Sequence, residues 1–174
     1  MKKLLLTAAF LGLTAGVANA TDQDITINAT VAPFCTIDGS LAPAAKTQAL
    51  TVNNVGVVDT TPISVSIGDV VCNKAANVTL KSANGGLFDP AIGSADAGFQ
   101  HRINYEASVT APAAASVAAN GATVAPITGT TATTSGATSS ANVAVTITPT
   151  ANTSPLMAGS GYTDTLTVTI EPTV

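Results

Sequence analysis

The sequence predicts an all-β protein built as an antiparallel sandwich, and three observations carry that expectation. Short segments in which apolar and polar residues alternate recur along the chain, the pattern of strands with one face turned inward. Thr and Val are abundant, and Gly, Pro and Asn punctuate the alternating segments. Beyond residue 20 no long window carries a 3.6-residue apolar period.

Residues 1–20 form a targeting segment and stand apart from the fold. Lys2 and Lys3 supply the positive start, residues 4–17 the apolar stretch, and Ala18-Asn19-Ala20 a small-x-small cleavage site. The style is bacterial and Sec-type. The apolar stretch is short for a membrane span, and nothing later is long or apolar enough to be one. The mature chain then runs from Thr21 to Val174, 154 residues, which suits one domain with a single core. It keeps four cations (Lys46, Lys74, Lys81 and Arg102) against ten acidic residues, a net charge of −6. Four scattered cations make no electrostatic footprint for nucleic acid or an anionic membrane. Charged residues are only 9% of the chain. Thr, Ser, Asn and Ala must therefore cover the surface, as is common in extracellular structural proteins and unusual in cytosolic enzymes.

The elements follow in order. Residues 25–37 keep one parity, with Ile25, Ile27, Ala29, Val31, Pro33, Cys35 and Ile37 on a single face. Pro33 cannot donate to a ladder and should split this run in two. Ile25 to Val31 is either an ordinary first strand of its own domain or a strand that buries its face elsewhere. Residues 48–53 form a short strand with Leu50 and Val52 in phase. Residues 62–67 alternate through Ile63, Val65 and Ile67; the parity then flips at Gly68-Asp69, which calls for a bulge or tight turn. Residues 77–82 carry Val78 and Leu80 and end in the turn Asn84-Gly85-Gly86. Residues 87–100 are a loop. Residues 101–109 carry Ile103, Tyr105, Ala107 and Val109. The Ala/Thr-rich segment 111–141 is expected to be a long surface excursion with at most a weak strand near 122–127. Residues 142–148 carry Val143, Val145 and Ile147 and stop at Pro149. Residues 162–171 close the chain, with Leu166, Val168 and Ile170 on one face and Thr163, Thr165, Thr167 and Thr169 on the other. Several such strands with turns between them suggest a sandwich.

Cys35 and Cys72 are the only cysteines. In an oxidising compartment an even count reads as a disulfide, with unlinked thiols as the alternative. The search for catalytic chemistry is negative. His101 is the only histidine and fits a polar residue at a strand start; there is no G-x-S-x-G elbow, no Gly-rich phosphate loop before a helix, and no zinc or calcium pattern. Neither an enzymatic activity nor a cofactor or metal is expected. Asp164 shares the parity of Leu166 and should sit at the strand entrance, where a carboxylate can accept bonds from turn N–H groups.

These features together resemble one family. They are the targeting segment, the alternating first strand, the first cysteine in Val31-Ala32-Pro33-Phe34-Cys35-Thr36-Ile37, and the second in Val70-Val71-Cys72-Asn73. Val78-Thr79-Leu80-Lys81-Ser82 and Arg102-Ile103-Asn104-Tyr105 follow, and the chain closes on Gly161-Tyr162-Thr163-Asp164-Thr165-Leu166-Thr167-Val168-Thr169-Ile170. The chain is similar to the spore coat protein U domain family, which includes pilin subunits of archaic chaperone–usher pili. The resemblance covers nearly all of the mature chain, except the segment 111–141.

The resemblance implies an incomplete immunoglobulin-like antiparallel β-sandwich. Residues 21–33 would be an N-terminal donor strand and 34–174 the pilin domain. Ile25, Ile27, Ala29 and Val31 would dock on a neighbour; Leu166, Val168 and Ile170 would line the groove that accepts the neighbour's strand. The partners implied are other copies of the chain or related pilins, a periplasmic chaperone and an outer-membrane usher. The chain would travel through the periplasm to a surface fimbria used in adhesion or biofilm formation. Two other roles fit the same residues: a secreted monomeric sandwich that binds carbohydrate or a surface, and a coat protein built on the same domain.

Overall fold

The computed structural model describes residues 23–174; the targeting segment and the first two residues of the mature chain lie outside them. The chain divides into two compact units, Met1–Val31 and Ala32–Val174. In the first, residues 23–31 carry no strand and are exposed throughout. Ile25, Ile27 and Val31 retain 81%, 90% and 74% of their free surface. The strand expected over 25–37 is therefore formed only at its end. A strand exists through its ladder, and pairing begins at Cys35.

The second unit contains ten strands: β1 (Cys35–Ile37), β2 (Ile63–Cys72), β3 (Ala76–Ser82), β4 (Leu87–Phe88), β5 (Arg102–Ile103), β6 (Tyr105–Val109), β7 (Ala115–Ala119), β8 (Ile127–Thr133), β9 (Thr138–Pro149) and β10 (Leu166–Pro172). Every strand pair is antiparallel, and among the described residues there is no helix. Five strands form one sheet in the order β1-β2-β9-β6-β7; three form another in the order β10-β3-β8; β4 and β5 make a small ribbon. The core lies between the two larger sheets. Val78 and Leu80 of β3, Ala107 and Val109 of β6, Val117 of β7 and Val143 and Val145 of β9 are all buried there. Alternate residues face outward, as the period of two requires.

The parity flip at Gly68-Asp69 is a bulge: the β2–β9 register shifts on both sides of Gly68. Gly68 has φ 104°, and a Cβ there would run into the Asp38 carboxylate, which accepts a 2.8 Å bond from the Asp69 N–H.

The segment 111–141 corrects the expectation most. It holds the core strand β7, the half-covered strand β8 and the start of β9, and residues 122–126 carry no strand. The reason is side-chain size. Ala115, Val117 and Ala119 alternate properly and are buried, but alanine methyls barely register as an apolar stripe beside so much Thr and Ser. Close approach of the sheets requires those small groups. A Cβ on Gly129 of β8 would strike the Ser116 carbonyl of β7, and the Thr130 hydroxyl bonds the Ser116 N–H at 2.9 Å. The strand expected over 48–53 reduces to one bridge, Val52 to Val58, beside a minor cluster of Val58, Ile103 and Leu156.

Candidate functional site: an open edge beside the last strand

The two main sheets have unequal widths, and this shapes the site. On one side of the sandwich β7 and β8 meet and close the seam. On the other side the five-stranded sheet ends at β1 and β2 and the three-stranded sheet ends at β10. β10 pairs with β3 along all seven residues and offers its other edge to no strand among those described. β1 covers only Val70, Val71 and Cys72 of β2, so residues 63–66 of β2 also have a free edge.

Burial follows this geometry. Core-facing residues one strand in from the gap are almost completely covered: Val78 and Leu80 at 0%, Val145 at 3%. The core-facing residues that border it, Leu166, Val168 and Ile170 on β10 and Ile37, Ile63, Val65 and Ile67 opposite, are only partly covered. Leu166, Val168 and Ile170 thus fall together on the inner face of the edge strand, as their parity predicts. An apolar, half-covered surface beside a row of unpaired backbone groups is a template for a further strand.

Both walls are pinned. Cys35 and Cys72 are joined by a disulfide, which fixes β1 to the end of β2. Beside it the Asn73 side chain bonds the Phe34 N–H (2.8 Å) and the Ala32 carbonyl (2.9 Å), fixing the chain just before β1. At the other end Asp164 fills the role its position predicts. Its carboxylate accepts from the Asn84 N–H (2.9 Å) and the Thr165 N–H (2.8 Å), closing the turn after β3 onto the start of β10. It also accepts from the Ser82 hydroxyl (2.5 Å) and the Tyr105 hydroxyl (2.7 Å). Burial, reinforced by the adjacent carboxylate, pushes the Tyr105 phenol well above its ordinary range, so it stays a donor. Arg102 donates to the Asn84 carbonyl (2.7 Å) and lies 5.8 Å over the Phe88 ring. Burial lowers its pKa and the Asp164 charge opposes that.

The sequence does not single out Asp89 as a structural anchor. Its side chain is fully covered, by a thin layer of exposed residues 159–161. It accepts from the Gly161 N–H and the Ala91 N–H, both at 2.9 Å, and from the Ser160 hydroxyl. Those backbone donors, Gly161 foremost, outweigh burial and lower its pKa below 3.8. A depressed folded-state value contributes stability that is present above pH 3.8 and is lost as pH falls through the folded value. Melting temperature should therefore drop as pH falls below 3.8, and Asp89→Asn should flatten that drop.

His101 is half-buried and meets the Phe88 ring edge-on at 6.2 Å. Among the described residues no group of three His, Cys, Asp or Glu side chains could hold a metal ion, and no helix is long and apolar enough to cross a membrane. An open concavity of about 590 Å³ lies away from β10, between the β6–β7 and β8–β9 turns, lined by small Ala, Thr and Ser residues such as Ala113 and Thr134.

Fold and edge together define a class: an antiparallel all-β, disulfide-linked domain whose three-stranded sheet ends on a strand with a half-covered apolar face and, among the described residues, no partner on its outer edge. The chain matches no family model, no curated protein and no solved structure.

Proposed function

We propose that the protein is a pilin-like structural subunit that polymerises by lending its N-terminal arm to the groove of the next copy. In this reading it is a member of the spore coat protein U domain family, its sandwich is an immunoglobulin-like fold lacking one strand, and the product is a surface fibre serving adhesion or biofilm formation. A periplasmic chaperone would cover the groove before assembly and an outer-membrane usher would release it.

One correspondence carries the reading. The half-covered inner positions of β10 are Leu166, Val168, Ile170 and Pro172; the exposed arm repeats the same spacing with Ile25, Ile27, Ala29 and Val31. An antiparallel guest, consistent with every other pair in the fold, would set Val31 beside Leu166, Ala29 beside Val168, Ile27 beside Ile170 and Ile25 beside Pro172. Burying Ile25, Ile27 and Val31 contributes at most about 5–9 kcal/mol at roughly 1.5–3 kcal/mol each. Ladder bonds add to this, as in other strand-addition complexes. The arm leaves the domain beside Asn73, at the Ile170 end of the groove, whereas the guest's own domain would follow at the Leu166 end. Contacts of this head-to-tail kind do not close on themselves and generate a filament.

Cysteines at Val31 and Leu166 test the register. Oxidised fibres of the doubly substituted chain should give a ladder of covalent oligomers on a non-reducing gel. A cross-linked monomer would mean that the arm folds onto its own domain and would overturn the proposal.

A further inference from the structure

We propose that the Tyr105 hydroxyl, acting through the Asp164 carboxylate, is a positioning group for the guest strand, holding β10 at a fixed spacing from the facing sheet where Val31 docks. This inference rests on the function proposed above and deepens it.

Little ties β10 to the facing sheet. It is an edge strand bonded to β3 alone within its sheet. Its inner residues are only partly packed, and among the described residues no strand lies against its outer edge. Hydrophobic contact is non-directional and does not by itself set a width. A hydrogen bond does, because it weakens steeply away from its preferred length and angle.

Three of the four groups bonded to Asp164 belong to the chain around β3 and β10 themselves: Ser82, the Asn84 N–H and the Thr165 N–H. Only Tyr105 reaches across, from β6 of the five-stranded sheet. Among the described residues this is the only hydrogen bond from β10, or the turn that enters it, to that sheet. The disulfide fixes the opposite wall at the far end, where Cys72 and Ala76 flank the β2–β3 turn and Ala76 pairs with Pro172. The groove is thus gauged at two diagonal points, by Cys35–Cys72 on β1 and by Tyr105–Asp164 at the start of β10.

The tie is well suited to that task. Tyr105 is 4% exposed and has a large, rigid ring anchored in the core, so its hydroxyl cannot follow β10 if the strand drifts. A partly covered carboxylate that already holds four donors has no unmet need that would draw it elsewhere.

A positional tie makes a local prediction. Loosening it should weaken docking of the nearest guest residue, Val31, and leave the far one, Ile25, alone. A merely structural role would weaken both alike.

The experiment uses fibres of the full mature chain, in which each copy is donor and acceptor, and measures their dissociation rate in guanidinium. Tyr105→Phe, Val31→Ala and Ile25→Ala are made singly, and the first is combined with each of the others. Tyr105→Phe should speed dissociation about tenfold, the effect of one lost charge-assisted bond. Combined with Val31→Ala it should speed dissociation several-fold less than the product of the single effects; combined with Ile25→Ala the effects should multiply. Ser82→Ala removes an in-sheet bond to the same carboxylate and should multiply with both arm substitutions. If Tyr105→Phe does not fold, Asp164→Asn should give the same pattern.

The inference is overturned if Tyr105→Phe changes the rate by less than about twofold, or multiplies equally with Val31→Ala and Ile25→Ala. Failure of the unmodified chain to form fibres would overturn the proposed function and this inference with it. Fibres that form normally but lack the selective coupling would sink the inference alone.

Discussion

A chain that begins at Ala32 is expected to form no fibres, while a chain retaining the arm assembles. The deletion removes residues that are exposed in the free arm, so it should leave the disulfide-linked sandwich folded. It removes up to about 9 kcal/mol of apolar burial from each junction, which is several orders of magnitude in affinity. The acceptor edge remains, with Leu166, Val168 and Ile170 partly uncovered, and an unpaired apolar edge invites disordered association. The shortened chain should therefore be poorly soluble, and a synthetic peptide spanning residues 23–33 should return it to solution as a capped monomer. Electron microscopy and gel filtration with and without the peptide read both effects. Ile27→Asp offers a milder version: Ile27 is 90% exposed, so a charge costs the free subunit little, yet it would be buried unpaired in a junction. Fibres from the armless chain would show that β10 is not the acceptor of that arm.

The parts of the fold legible in the sequence were those with large alternating side chains. Val78 and Leu80, Tyr105 to Val109, Val143 to Ile147 and Leu166 to Ile170 each lie in a strand with the expected face inward. The bulge at Gly68 was legible because a parity flip has few other solutions. β7 was hidden because its inward residues are Ala115, Val117 and Ala119, two of them too small to mark a face. β4 was hidden in the expected loop 87–100 because a two-residue strand carries no period, whereas β5 falls within the strand expected over 101–109, which the structure interrupts at Asn104. At the groove, the inward face of β10 and the cap at Asp164 followed from parity. The unequal sheet widths and the bond from Tyr105 did not, since strand order across a sandwich depends on contacts distant in sequence. Asp89 was missed for the same reason: its donors at 160–161 lie some seventy residues away.

Loss of the disulfide is expected to damage assembly more than it damages the core. Cys35 and Cys72 are 37 positions apart, and in the chain-entropy model a ring of that size contributes roughly 3.5–4 kcal/mol to stability. For a domain of this size that corresponds to a melting temperature lower by roughly 10 °C. The main core does not depend on β1, because β2, β9, β6 and β7 remain laddered and β3 lies across them. β1 itself does depend on the bond. Three paired residues are too few to hold a strand at a sheet edge, and Phe34 and Ala32 are tied only to Asn73. Replacing both cysteines with serine should therefore free the groove wall opposite β10 and the base of the arm together. Circular dichroism should show the sheet retained below the lowered melting point, while electron microscopy shows few or no fibres. Reductant applied to finished fibres should act slowly, because Cys35 is only partly covered in the free subunit and a docked strand would further cover β1. Reduction before assembly should be as damaging as the double substitution. Equal sensitivity before and after assembly would mean that the guest strand does not cover this wall.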